Sequence, residues 1–408
     1  MRLQEILKKY YGYDAFRPNQ RELIETILQG KDCMAFLPTG FGKSLLFQIP
    51  ALLLEGLTIV ISPLIALMED QVQSLIEKGI SAAAIHSAVP QTQKREVVRK
   101  IERNQIKLLY VAPERLQQES FIRLLKGKQV SLIVVDEAHT LLWGESFRKS
   151  FLTICDFISC FQPRPRLLAL TATATDRTKE KIIEYLQLTS PAIFNMSMDR
   201  SDLFYGVKYT TQKKQLLWKL LKQMTDQKVL IYCLTIKTTE ELAYLLKQDG
   251  FSCTFYHGNL SSKEKKEHQE EFQTGRKTIM VCTNAFGMGI DIPDIRYVIQ
   301  YQLPVCIEDL LQQLGRASRD HVFGVGITFF NFDDLKISDY FLKQSDQKQT
   351  CFRDDVVDYC LSKQCRHQWL ASYFGEKIAR CGCSCDRCTK GFLARKGGWV
   401  YNIVKRRS

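Results

Sequence analysis

No apolar run in this chain approaches the 18 or more residues that a membrane-spanning helix needs, which excludes a helical membrane protein. The opening Met1-Arg2-Leu3-Gln4-Glu5 lacks the apolar core of a secretory leader, so a cytoplasmic protein with no membrane partner is expected. Acidic residues are in short supply: 44 Asp and Glu against 57 Lys and Arg leave a net charge of +13. That deficit suits a polyanionic partner, nucleic acid first among them. A solvated basic surface with no partner would carry the same charge, so composition alone does not choose. Of the 14 cysteines, those inside strand-like runs (Cys33, Cys233, Cys282) read as small buried hydrophobes of a reducing compartment.

At 408 residues the chain is long enough for two or three domains, each with its own core. Short, nearly all-apolar segments alternate with helix-length amphipathic stretches as far as about residue 330. They are Cys33–Phe36, Leu57–Ile61, Ile106–Val111, Leu132–Val135 and Leu167–Leu170. After a break near Asn195–Tyr209 they resume at Val229–Tyr232, Thr278–Cys282, Arg296–Ile299 and Gly326–Phe330. Strands apolar on both faces and separated by helices indicate parallel sheets covered on both sides. Two α/β domains of similar size are expected. No short-period repeat is visible, yet the halves read as one kind of fold used twice. Glu264–Glu271 is a charge run of mixed sign, the solvated face of a helix. Beyond about residue 333 the strand signal stops; helical segments, a cysteine cluster and a basic tail follow.

Leu37-Pro38-Thr39-Gly40-Phe41-Gly42-Lys43-Ser44 follows a strand and precedes a helix start. Such a turn cradles phosphate with backbone N–H groups and the positive end of the helix dipole. Lys43 is placed to neutralise β/γ-phosphates and Ser44 to hold Mg²⁺, with Thr39, Gly40 and Gly42 shaping the cradle. Asp136-Glu137-Ala138-His139 ends another buried strand, 92 residues after Ser44. Asp136 would bind Mg²⁺ and Glu137 would orient and deprotonate the attacking water. Thr171-Ala172-Thr173 ends a further strand and reads either as a Ser/Thr turn or as a link to the domain interface. In the second domain, Arg316 and Arg319 within Gln312-Gln313-Leu314-Gly315-Arg316-Ala317-Ser318-Arg319-Asp320 are three apart and would face one way from a helix. Aimed at a γ-phosphate they would be arginine fingers, worth roughly 10³–10⁵ in rate.

Cys365, Cys381, Cys383, Cys385 and Cys388 crowd into 24 residues, a density that suits tetrahedral Zn²⁺ in a closed structural site.

In this order, the motifs resemble the RecQ family of superfamily 2 DNA helicases, from about Tyr11 to Cys388. The Pro-Thr-Gly form of the phosphate loop is the variant of that superfamily. The segment Tyr11–Gln20 resembles the family's motif 0, which implies that Tyr13 stacks on adenine, Gln20 reads its edge and Arg17 supports the site. Ser62–Gln71 and Tyr110–Leu116 resemble motifs Ia and Ib, so Ser62 and Arg115 are implied on the single-strand path. Thr283–Asp291 resembles motif V, with Thr283 toward DNA and Asp291 toward nucleotide; Tyr256-His257-Gly258 also fits. Thr140–Arg148 resembles the aromatic-rich loop, in which Trp143, Phe147 and Arg148 would sense DNA by stacking. This loop is one residue shorter than usual and lacks the Cys after His139. In motif VI, Gln313 stands where the family usually has Glu, and Ser318 where it usually has Gly. The cysteine cluster resembles the RecQ zinc-binding subdomain, which implies Cys365, Cys385 and Cys388 as ligands; Cys381 and Cys383 compete for the remaining place, and Cys381 is favoured. Only 20 residues follow Cys388, too few for the winged-helix and helical nucleic-acid-binding domains of many members.

The expected architecture is therefore α/β: two tandem RecA-like parallel-sheet domains (1–198 and 199–332), a helical zinc-binding subdomain (333–390) and a basic tail (391–408). The resemblance implies an enzyme using ATP, Mg²⁺ and Zn²⁺, a 3′→5′ DNA helicase of repair and recombination. Its partners would be single-stranded and branched or tailed DNA and a DNA-repair protein. In that scheme the two lobes share one triphosphate. The alternatives are a translocase or remodelling ATPase with little unwinding, a DNA-binding scaffold switched by ATP, and an RNA helicase.

Overall fold

The computed structural model describes residues 3–37, 42–63, 65–87, 89–138, 153–171, 176–195, 200–286, 292–320, 322–336 and 350–389. The chain divides into two units, Met1–Ser197 and Met198–Ser408. The first holds strands β1 (Cys33–Phe36), β2 (Leu57–Ile61), β3 (Ala82–Ile85), β4 (Leu108–Val111), β5 (Val130–Val135), β6 (Arg166–Thr171) and β7 (Ala192–Asn195). They form one sheet in the order β3-β4-β2-β5-β6-β1-β7, and the pairings are parallel throughout the described residues. The second holds β8 (Leu203–Tyr209), β9 (Lys228–Tyr232), β10 (Cys253–Tyr256), β11 (Ile279–Cys282), β12 (Ile295–Gln300) and β13 (Gly324–Phe330). Their order is β10-β11-β9-β12-β13-β8, again parallel.

Side chains alternate across a strand, so a sheet covered on both faces needs apolar residues at every position. Met34, Ile59, Ile133 and Ala169 of the first sheet pack into one apolar cluster; their neighbours Ala35, Val60, Val134 and Leu168 pack into another on the opposite face.

The stretch read as a break is occupied by strand at both ends: β7 ends at Asn195 and β8 begins at Leu203. β8 follows directly on the polar Arg200-Ser201-Asp202, which hid its start. β3 gives no strand signal in the sequence because three of its four residues are alanine, which carries little strand preference.

The two sheets share their spacing. β2, the helix Ile65–Glu77, β3, the helix Gln91–Glu102 and β4 recur as β9, the helix Ile236–Gln248, β10, the helix Ser262–Gln273 and β11, each at the same length and displaced by 171 residues without a gap. Gly79 and Gly250 follow the first helix of each set at φ 75° and 81°. Polar contacts recur as well. His86 Nε2 lies 3.3 Å from Glu69 Oε1 and His257 Nε2 lies 3.0 Å from Glu240 Oε1. Lys94 donates to the Ser87 carbonyl at 3.3 Å, and Lys265 to the Gly258 carbonyl at 2.6 Å. The resemblance of the halves is thus a matched register.

Candidate nucleotide site and metal centre

β1 lies inside the first sheet, between β6 and β7, and Leu37 N continues its ladder to the Thr171 carbonyl at 2.9 Å. Pro38–Phe41, and with them Thr39 and Gly40, lie outside the described residues. Gly42 re-enters at φ 75°, and the bonds from Leu46 N to the Lys43 carbonyl and from Gln48 N to the Ser44 carbonyl open the helix Leu45–Leu53. The Ser44 hydroxyl makes no capping bond to that helix. A Cβ on Gly42 would come within 3.1 Å of Gln20 Nε2, so only glycine satisfies both the dihedral and the space there. Gln20 is buried, and its Oε1 accepts from Arg17 N at 3.0 Å. The structure therefore brings Gln20 against the phosphate turn, holds Arg17 to Gln20 through a backbone N–H, and leaves Tyr13 56% exposed.

The acidic pair stands at the end of β5, where the Asp136 N–H extends the ladder to the Ile61 carbonyl at 2.9 Å. Glu137 turns sharply at φ 49°, and its N–H donates to Asp136 Oδ1 at 3.0 Å. Its carboxylate accepts from Lys43 Nζ at 3.1 Å, across 94 residues of sequence. Burial, and after it the charge of Glu137, push the Asp136 carboxyl up to about 7, with Lys43 opposing. The lysine and both carboxylates thus share one mostly buried corner.

A polar link ties the helix that follows the phosphate turn to two other helices and to β4. Gln48 is a lone buried amide in the apolar helix Leu45–Leu53. Its Oε1 accepts from Tyr11 Oη at 2.9 Å, and its Nε2 donates to Gln71 Oε1 at 3.0 Å and to Tyr110 Oη at 3.4 Å. A glutamine among leucines was the available signal, since a buried amide requires partners. Ser62 is buried at the end of β2, its hydroxyl without a hydrogen-bond partner among the described residues. Arg115 lies on the short 3₁₀ turn Pro113–Arg115 and donates to Gln118. Trp143, Phe147, Arg148, Thr173 and Asp291 lie outside the described residues.

In the second unit, Thr283 N donates to the Tyr256 carbonyl at 3.1 Å, and Thr283 Oγ1 accepts from Ala285 N at 3.4 Å. The helix expected to present Arg316 and Arg319 is Ile307–Leu314, and it ends before either of them. Gly315 closes it, and Ser318 at φ 62° takes the chain off any helical path. The arginines lie on a turn, Arg316 buried and Arg319 half-buried. Both act on the buried Tyr232 phenol: burial raises its pKa, then the Cys282 thiol, against the two guanidinium charges. Tyr232 Oη also donates to the Phe286 carbonyl at 3.0 Å.

The sulfur atoms of Cys365, Cys381, Cys385 and Cys388 lie within 4.8 Å of one another. The Cys365 and Cys385 sulfurs are 3.9 Å apart. A tetrahedron with Zn–S bonds of about 2.3 Å has sulfurs about 3.8 Å apart, so the donor set fits Zn²⁺. Cys383 is exposed and outside the group. The Cys381 hydrogen bond, against burial, and backbone N–H groups of Arg366, Cys388 and Arg387 hold the Cys385 thiol below the ordinary cysteine range, while the same cluster pushes the Cys381 and Cys388 thiols up, so one sulfur of the group carries the negative charge. The knuckle is fastened to β8. Tyr205 N donates to the Ser384 carbonyl and Asp386 N to the Tyr205 carbonyl, both at 3.0 Å. Beneath it the buried Arg366 grips Asp386 with Nε at 2.8 Å and Nη2 at 3.1 Å.

Residues 17–182 match the DEAD/DEAH box helicase family, 212–321 the helicase conserved C-terminal domain and 332–389 the RecQ zinc-binding domain. An ATP-dependent DNA helicase RecQ of Synechocystis is 40% identical over 359 residues, 84% of this chain and 75% of that protein. The chain belongs to the RecQ family of ATP-dependent DNA helicases. The Bacillus subtilis RecQ is 35% identical over 395 residues, covering 95% of this chain and 67% of its own length. In fold the chain is similar to yeast Dbp5 bound to RNA and ADP BeF3, with a TM-score of 0.69 at 19% identity over 98% of this chain and 96% of that one.

Both departures from the RecQ pattern in motif VI have local reasons. Gln313 bridges two amides: its Oε1 accepts from Gln300 Nε2 at 2.7 Å, and its Nε2 donates to Asn284 Oδ1. Gln300 Oε1 in turn accepts from Thr328 Oγ1 at 2.7 Å. A glutamate at 313 can only accept, so Asn284 would have to turn its amide over. At Ser318 the positive φ accounts for glycine in the family pattern.

Proposed function

We propose that this RecQ-family enzyme is a 3′→5′ helicase that couples ATP hydrolysis to movement along single-stranded DNA and to strand separation in repair and recombination. What supports the reading is the convergence of Lys43, Asp136 and Glu137 in one buried corner. In the proposed cycle the phosphates of ATP take Lys43 from Glu137, which frees that carboxylate to orient and deprotonate water. Ser44 and Asp136 would hold Mg²⁺, which neutralises charge on the β- and γ-phosphates. Thr39, Gly40 and Gly42 cradle the phosphates, while Tyr13, Arg17 and Gln20 receive the base. Arg316 and Arg319 neutralise charge developing on the γ-phosphate, and Asp291 answers to the nucleotide. Ser62, Arg115, Thr283 and the loop bearing Trp143, Phe147 and Arg148 engage the strand. Zn²⁺ in the four-cysteine site is structural.

The test is steady-state ATP hydrolysis with and without single-stranded DNA, beside displacement of a strand from 3′- and 5′-tailed duplexes. DNA stimulation and displacement from the 3′-tailed substrate alone are expected. In Lys43→Ala both activities should fall at least 10³-fold while DNA binding persists. Stimulation without displacement would make the enzyme a translocase, and stronger stimulation by RNA would remove the DNA assignment.

A further inference from the structure

The turn that carries the two arginines is held from behind. Ser318 is fully buried at φ 62°, a conformation that L side chains rarely adopt. Its hydroxyl donates to Asp202 Oδ2 at 2.7 Å, and its N–H donates to the Ile295 carbonyl at 3.1 Å. Arg200 reaches the same turn, with Nη2 3.3 Å from the Ala317 carbonyl and 3.2 Å from the Ser318 carbonyl. Arg200 and Asp202 also grip each other, Nε to Oδ1 at 2.8 Å and Nη2 to Oδ2 at 3.1 Å. Asp202 is itself anchored, its carbonyl accepting from Gly324 N at 3.0 Å. The turn is also packed against Gly324, where a Cβ would lie 3.0 Å from both the Ala317 and the Ser318 Cβ atoms.

We propose that Arg200 and Asp202 are positioning residues for ATP hydrolysis: they clamp the Ala317–Ser318 turn in its left-handed form and so set where the Arg316 and Arg319 guanidinium groups lie. The inference rests on the reading of those two arginines as the charge donors of hydrolysis. Its physical basis is that glycine adopts a positive φ without help, whereas serine does so here with a hydroxyl bond and a two-pronged arginine contact. The Asp202 carboxyl stays charged within this clamp. Burial pushes its pKa up, but the Arg200 hydrogen bond and charge and the Ser318 hydroxyl outweigh it and leave the pKa lowered. Because a displacement of about 1 Å in a reacting group costs on the order of 10²-fold, a relaxed turn is felt as a loss of rate.

The experiment measures kcat and KM for ATP at saturating single-stranded DNA in Ser318→Ala, Ser318→Gly, Asp202→Ala and the double variant Asp202→Ala/Ser318→Gly, with zinc content as a check on the fold. Alanine and glycine both remove the hydroxyl, but only alanine keeps a Cβ at positive φ. Ser318→Gly should stay within about twofold of wild type. Ser318→Ala and Asp202→Ala should each lower kcat by about tenfold at unchanged KM. Adding Ser318→Gly to Asp202→Ala should recover most of that loss. An alanine variant as active as the glycine one, or a double variant no better than Asp202→Ala, overturns the inference. Should Asp202→Ala not fold, the Ser318 pair still decides. A wild-type enzyme without DNA-stimulated hydrolysis would instead remove the underlying functional reading.

Discussion

At the end of β5 the first unit places Asp136 and Glu137; at the end of β12, which occupies the same place in the second sheet, stand Tyr301 and Gln302. The backbone does not distinguish the two ends. Asp136 N donates to the Ile61 carbonyl and Tyr301 N to the Tyr232 carbonyl, each at 2.9 Å. Gln302 spends its side-chain oxygen on Leu234 N at 2.9 Å, a structural duty. After β2 stands Ser62; after β9 stands Cys233, a buried thiol pushed up to about 12. One frame thus carries acid and lysine in one unit and guanidinium groups in the other. The lesson is that these sheets supply strand ends, and the side chains placed there supply chemistry. The edges differ too. Beside β1 the first sheet adds β7, whereas beside β8, its counterpart, the second adds the cysteine knuckle through the Tyr205–Cys385 bridge.

That difference can be broken most severely at the knuckle. Stripping the metal should cost much of the roughly 10–16 kcal/mol apparent for small zinc sites. Amide-exchange protection should then vanish from β8 around Tyr205 and survive in β1; equal loss in both strands would mean that the units do not respond separately. Next in size is the guanidinium contribution of the second unit. Arg316→Ala should lower DNA-stimulated kcat by roughly 10³–10⁵ with DNA affinity kept, as read by single-turnover hydrolysis.

A smaller effect tests the cost of the acidic corner. Asp136 has its pKa raised from an ordinary 3.8 to about 7 in the fold. Such a group favours folding below its unfolded value, and that contribution is lost as pH rises through about 4 to 7. In Mg²⁺-free buffer, Asp136→Asn should therefore be nearly neutral at pH 4 and more stable than wild type by about 2 kcal/mol at pH 8. Urea unfolding at the two pH values checks the sign. The least effect sharpens the match between the repeated helices. The helix Ser262–Gln273 begins with a capping box of Ser261 and Glu264, while the equivalent Gln91–Glu102 begins at Pro90 with no side-chain cap. Ser261→Ala should cost about 1 kcal/mol, and Pro90→Ala only a few tenths, measured by thermal unfolding.

Much of this was legible because the physics is local. A strand that is apolar on both faces, a glycine turn ahead of a helix and thiols a few residues apart act over distances the chain itself spans. The residues that went unread act across it. Gln48 shows an amide among leucines but not its partner Tyr110, and Tyr232 and the Arg200–Asp202 pair look ordinary until folding brings Arg316 and Ser318 beside them. The arginine spacing misled for a related reason: three residues apart suggests one helix face, but Gly315 ends the helix and a left-handed Ser318 replaces it.

The order of residues alone determined that two parallel sheets form, that a phosphate turn precedes an acidic strand end, and that four thiolates gather near the C-terminal side. Each follows from periodicity or short spacing. Only the tertiary structure decided that Lys43 meets Glu137 across 94 residues, that Cys381 rather than Cys383 joins the sulfur cluster, and that the half-buried Asp202 carboxylate accepts from the Ser318 hydroxyl of the arginine turn. Those outcomes depend on which side chains packing removes from water together, and no linear pattern records that.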